Sequence, residues 1–90
     1  MATSQSAKKR IRQNEKRRAR NKQVRSRIRT WLNRFDDAVE SGDLDEAEQR
    51  LREVESVLDR AVSKGVIPKN RASRKTSRLA KRLNRLRAQA

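Results

Sequence analysis

Apolar residues recur along this chain at intervals of three and four, in three separate runs. The first is Val24, Ile28, Trp31, Leu32, Phe35 and Val39, at offsets 0, 4, 7, 8, 11 and 15. The second is Ala47, Leu51, Val54, Leu58, Ala61 and Val62, at offsets 0, 4, 7, 11, 14 and 15. The third is Ala72, Thr76, Leu79, Leu83 and Leu86, at offsets 0, 4, 7, 11 and 14. Each run marks one face of a helix with 3.6 residues per turn. No stretch alternates with period two, so the pattern predicts helices and no strands.

Punctuation between the runs sets their limits. No Gly or Pro interrupts Ala7 to Ser41, and Gly42 is a left-handed stop for that first helix. Asp43 with Glu46 three residues on has the spacing of a capping box, with Asp in the Ser/Thr position. Asp45, Glu46 and Glu48 then complement the positive start of a second helix. Gly65 ends it. Pro68 cannot continue a helix and biases Ile67 toward extended geometry. Asn70 is the candidate N-cap of a third. These signals place helices over 7–41, 43–64 and 69–88, after a disordered start over 1–6.

Three amphipathic helices joined by short turns predict a single all-α domain over 1–90, an up-down-up antiparallel three-helix bundle. The first helix is too long for it. Its apolar stripe begins only at Val24, so about fifteen residues, Ala7 to Asn21, project beyond the bundle as an arm of roughly 20–25 Å.

Charge gives the arm its meaning. Residues 1–35 carry 13 Lys and Arg against the single acid Glu15, residues 36–63 carry 3 basic and 10 acidic residues, and residues 64–90 carry 10 basic residues and no acid. The net charge is +15. Such density of one sign repels itself and calls for a polyanion, most commonly nucleic acid. On the arm, Lys8, Arg12, Lys16 and Arg20 form a like-charge i,i+4 ladder, which costs a few tenths of a kcal/mol per pair in an isolated helix. Lys8, Lys9 and Arg10 also face the positive end of the helix dipole. A free arm is therefore expected to be disordered before about Asn21, and bound phosphates would remove both penalties. Glu15 is expected to pair with Arg12, Lys16 or Arg18.

In an up-down-up bundle the first and third helices run parallel, so their basic faces form either two walls of one groove or a continuous patch. The acidic second helix either faces away from the polyanion or simply pairs with neighbouring arginines. Trp31 and Phe35 lie on the apolar stripe and read as core. No aromatics interleave the basic runs, so base stacking is not the main mode. The chain has no Cys and no His. That excludes disulfides, thiolate metal sites, imidazole catalysis and His ligands, and no other catalytic or cofactor constellation is present. No apolar run is long enough for a membrane span. The basic N-terminus has transit-peptide character but runs unbroken into helical pattern. The all-helical shape without a compact recognition motif favours reading of RNA backbone and shape, as in a structural component of a large ribonucleoprotein.

Two blocks, SAKKRIRQNEKRRARN at Ser6–Asn21 (continuing into Lys22, Val24, Arg25, Ser26 and Arg29) and SKGVIPKNRASRKTSRLAKRLN at Ser63–Asn84, resemble the bacterial small-subunit ribosomal protein S-twenty family. The middle helix is only generically similar. The family pattern often has His where this chain has Pro68, which bears on one side-chain contact at the turn between helices two and three. The resemblance implies a three-helix bundle with a long first helix that binds small-subunit ribosomal RNA directly and aids its assembly in translation. It also implies a cytoplasmic ribosomal location, a monomer within the ribosome with few or no protein contacts and no membrane, no enzyme activity and no cofactor. By matching position, the implied RNA contacts on the first helix are Lys8, Lys9, Arg10, Arg12, Asn14, Arg17, Arg18, Asn21, Lys22 and Arg25. In the second block they are Lys64, Lys69, Asn70, Arg71, Arg74, Lys75, Arg78, Lys81 and Arg82. The competing readings are a DNA-binding protein resembling a basic-region zipper, whose seam would need three or four heptads, and a basic amphipathic helix on a membrane surface.

Overall fold

A computed structural model describes the backbone of residues 2–90 and the side chains of residues 5–90. It contains three helices, α1 (Ala2–Glu40), α2 (Leu44–Ser63) and α3 (Lys69–Gln89), and no strand among the described residues. The fold class is the expected one, an all-α bundle with a long first helix. α1 starts five residues earlier than predicted. The disordered start is therefore not seen from Ala2 onward, because residues 2–6 contain no Gly or Pro to stop the helix; Met1 lies outside the described residues.

Both inter-helix turns are built on a left-handed glycine. At Gly42 (φ 79°) the Gly42 amide donates to the Val39 carbonyl and the Asp43 amide to the Ala38 carbonyl, each at 3.1 Å. At Gly65 (φ 74°) the Gly65 amide donates to Val62 and the Val66 amide to Ala61, each at 2.9 Å. This double pattern closes the last carbonyls of a helix and turns the chain back. The Asp43 carboxylate accepts from the Glu46 amide at 3.0 Å, as expected of the N-cap. The reciprocal half of the box is absent, because the Asp43 amide is already used by Ala38 and the Glu46 carboxylate turns to Arg50. α3 departs from expectation. Its N-cap is Pro68 (ψ 146°), whose carbonyl accepts from the Ala72 amide at 3.2 Å, and Asn70 lies inside the first turn. Proline's extended ψ ends the connection two residues before the asparagine can do so.

The core joins Phe35 and Ala38 of α1, Ala47, Leu51, Val54 and Leu58 of α2, and Ala72, Leu79 and Leu83 of α3. Ile28, Trp31, Leu32, Val39, Leu44 and Val62 pack around it. α2 is the central helix, with α1 and α3 both laid against it. That explains Val57, which is buried although it lies off the predicted stripe. A helix covered on two sides needs a wider apolar face than one covered on a single side. α1 and α3 are parallel, since Ile28 and Ala72 line the same cleft and, further along both helices, Arg82 bonds Asp36 at 2.8 Å. The α1 stripe is covered by α2, so no seam remains for a zipper partner. No described helix is long and apolar enough to cross a membrane.

The molecule is a rod of 68 × 22 × 13 Å with a radius of gyration of 18.1 Å, against about 12 Å for a compact chain of this length. The excess is α1. Every residue from Gln5 to Arg20 is exposed, a bare helical segment of about 24 Å.

Candidate nucleic-acid interface

The base of the arm is fixed by one contact. The Arg20 guanidinium donates to the Lys64 carbonyl at 3.2 Å, at the C-terminal end of α2, where free carbonyls and the helix dipole favour a cation. Before that point no described side chain of the arm makes a hydrogen bond or ion pair to the rest of the protein. The arm's one large apolar residue, Ile11, is 56% exposed. Glu15 makes none of the expected ion pairs, in keeping with the small net worth of an exposed pair.

Among the described residues, ion pairs use only four of the 26 lysines and arginines: Arg50, Arg52, Arg82 and Arg87. The rest of the positive charge is uncompensated within the molecule. On α1 it is organised as a stripe. Asn14, Arg17, Arg18, Asn21, Lys22 and Arg25, all implied contacts, share one open trough of about 560 Å³, which Ser26 and Arg29 complete. The Asn21 Oδ1 is buried without a hydrogen-bond donor among the described residues. Nearer the tip, Lys8, Lys9 and Arg12 line a second trough with Lys16 and Glu15. Arg10 is exposed on the arm and lines neither.

On α3, Arg71, Arg74, Lys75, Arg78, Arg82 and Arg85 fall at offsets 0, 3, 4, 7, 11 and 14, one face of the helix, with Lys81 at its margin. Arg71 and Lys75 line the cleft shared with α1, so this face adjoins the first helix. Arg85 shares this face by spacing but is not among the implied contacts. Arg82 differs from its neighbours. It bonds Asp36 and lies 6.0 Å from the Phe35 ring, so it braces α1 against α3. Lys69 and Lys64 fall outside the set. Lys69 is five turns from Arg87, which pairs with Glu48 of α2 at 2.7 Å, and so lies on the α2 flank. Lys64 borders the outer side of α2, with Asp59 and Arg60. Asn70 is exposed in a first turn that carries no acid and no side-chain cap.

The acids of α2 divide into paired and unpaired ones. Glu46 and Glu53 pair with Arg50, and Glu48 with Arg52 and Arg87. Asp59 lies exposed on the outer side of α2, away from Leu58 and the cleft. Trp31 is part of the packed layer, with the Arg34 guanidinium 4.4 Å and the Arg50 guanidinium 5.9 Å from its ring centroid. It is a core aromatic closed over by cations.

Fold and charge together define a small, strongly basic all-helical protein with an unsupported cationic rod and a parallel basic helix. The chain matches the family model described as Ribosomal protein S20 over residues 2–84, and it belongs to that family. It is 52% identical over 88 residues to the small ribosomal subunit protein bS20 of Dinoroseobacter shibae, covering 98% of this chain and all of that one. The protein of the same name in Ruegeria sp. is 55% identical over 86 residues, covering 96% of this chain and 99% of that one. That of Thermobifida fusca is 51% identical over 86 residues, covering 96% and 94%. These are ribosomal structural proteins, not enzymes. The likeness of the two basic blocks therefore extends through the middle helix as well.

Proposed function

We propose that this protein, a structural constituent of the cytoplasmic small ribosomal subunit, binds small-subunit ribosomal RNA directly and supports its folding during assembly. The arm of α1 enters between RNA segments, and the basic face of α3 takes phosphates beside it. A single copy acts, with few protein contacts. The observation that carries this reading is the helical arm from Gln5 to Arg20, exposed throughout and strongly cationic, whose described side chains bond the bundle only through Arg20. A rod with phosphates on several sides gains charge-assisted hydrogen bonds all round, where a half-buried helix would gain them on one face only.

The test is binding of the full chain to a small-subunit rRNA transcript and to duplex DNA of equal length at matched salt. Preference for the rRNA supports the reading. Equal affinity for both would reduce it to generic polyanion binding.

A further inference from the structure

Residues of α1, α2 and α3 line a cleft of about 370 Å³, near the lower end of the roughly 300–1,000 Å³ range of ligand pockets. Arg25 and Arg29 form one wall, and Arg71 and Lys75 the other. Its floor is apolar, made of Ile28, Leu32, Leu58, Ile67 and Ala72. No acid lines it. Further along, Arg82 and Asp36 tie the same two helices together.

Phosphate alone needs the cationic walls and gains nothing from the floor. The floor suits a flat, weakly hydrated body carried next to an anion. We propose that this cleft receives one unpaired nucleotide of the ribosomal RNA, with its base on the aliphatic floor and its flanking phosphates on the four cations. This rests on the rRNA-binding reading above and adds a base-recognition site to it. Duplex RNA cannot fill the cleft in this way, because its bases are stacked inside the helix. With no aromatic in the lining, the base is held by aliphatic contact and by guanidinium planes. The lining side chains also offer hydrogen-bond donors and no acceptor. A base that turns its Hoogsteen edge to them is satisfied when that edge carries only acceptors, as in guanine (O6 and N7) or uracil (O4), and less so in adenine, whose N6 amine finds no acceptor there.

Two experiments on the full chain test this. In the first, methyl NMR follows Ile28, Leu32 and Ile67 while 5′-GMP, 5′-UMP, 5′-AMP or ribose 5-phosphate is added. GMP and UMP are expected to shift these methyls, AMP less, and ribose 5-phosphate not at all. Equal shifts with ribose 5-phosphate, or none with any nucleotide, would overturn the proposal. In the second, a benzophenone side chain replaces Ile67 and the protein is photocrosslinked in reconstituted small subunits. One crosslinked unpaired guanosine or uridine is expected. The paired change Arg71→Gln with Lys75→Gln should abolish that crosslink and weaken rRNA binding by about tenfold. Crosslinks scattered over paired RNA, or a crosslink to another protein, would sink the cleft assignment while leaving direct rRNA binding intact. Wild-type protein that fails to bind rRNA at all would overturn both.

Discussion

Residues 5–20 and residues 28–39 belong to one unbroken helix and are held by different physics. The second stretch has Phe35 with no solvent exposure, Ala38 buried, and Ile28, Trp31, Leu32 and Val39 packed around them. Its helix is stabilised by tertiary burial. The first stretch has no buried residue. It is helical on the propensity of Arg, Lys, Gln and Ala alone, against the repulsion of its own ladder. The dipole sharpens the contrast. α1 has no acid in its first turn and no base in its last, where Asp37 and Glu40 stand instead. That polarity opposes the stabilising arrangement at both ends and adds to the positive potential at the arm. Local helix stability along α1 is given up for a strongly polarised rod, which is useful only beside a polyanion.

The largest expected effect falls on the bundle half. Phe35→Ala removes the largest fully buried side chain and should cost about 3–5 kcal/mol, read by urea denaturation followed by helical circular dichroism. In a domain of this size that leaves little net stability. A penalty under about 1 kcal/mol would show that the core is not seated on Phe35.

On the arm half the balance inverts. Arg17→Ala with Arg18→Ala should leave the melting curve within about 0.5 kcal/mol of wild type. Its rRNA affinity should become less steep in salt, by roughly one unit of slope for each phosphate the variant no longer neutralises. An unchanged slope would mean that these residues do not touch phosphate. At the boundary of α1, Gly42→Ala forces a Cβ into φ 79° and should cost about 1–2 kcal/mol, although no heavy atom stands within 4 Å of the added carbon. A neutral result would show that the turn relaxes out of the left-handed region. A small effect is expected of Arg82→Ala, whose pair with Asp36 is partly exposed; about 0–1 kcal/mol is the range for such pairs. A larger penalty would make that residue a principal tie between α1 and α3.

The bundle half was the more legible in sequence, because local signals decide it. Stripe spacing located all three helices, and the two glycines located both turns. What escaped depends on neighbours in space. Val57 is buried only because α2 is covered on two sides, which no single stripe records. Asn70 looked like a cap, and Pro68, with its fixed backbone, took the position. Arg82 reads like its basic neighbours on α3 until Asp36 is found opposite it. For the candidate interface, charge and spacing located the basic faces of α1 and α3. The cleft between them, which brings in Arg29 and Ile67, exists only once the two helices lie parallel on α2.

Amide hydrogen exchange on the full chain, alone and with small-subunit rRNA, tests the division of α1 most directly. Residues 5–20 of the free protein should exchange at nearly unprotected rates while residues 28–39 are protected, and rRNA should slow the first group strongly and the second little. Equal protection of both stretches in the free protein, unaltered by rRNA, would contradict the account.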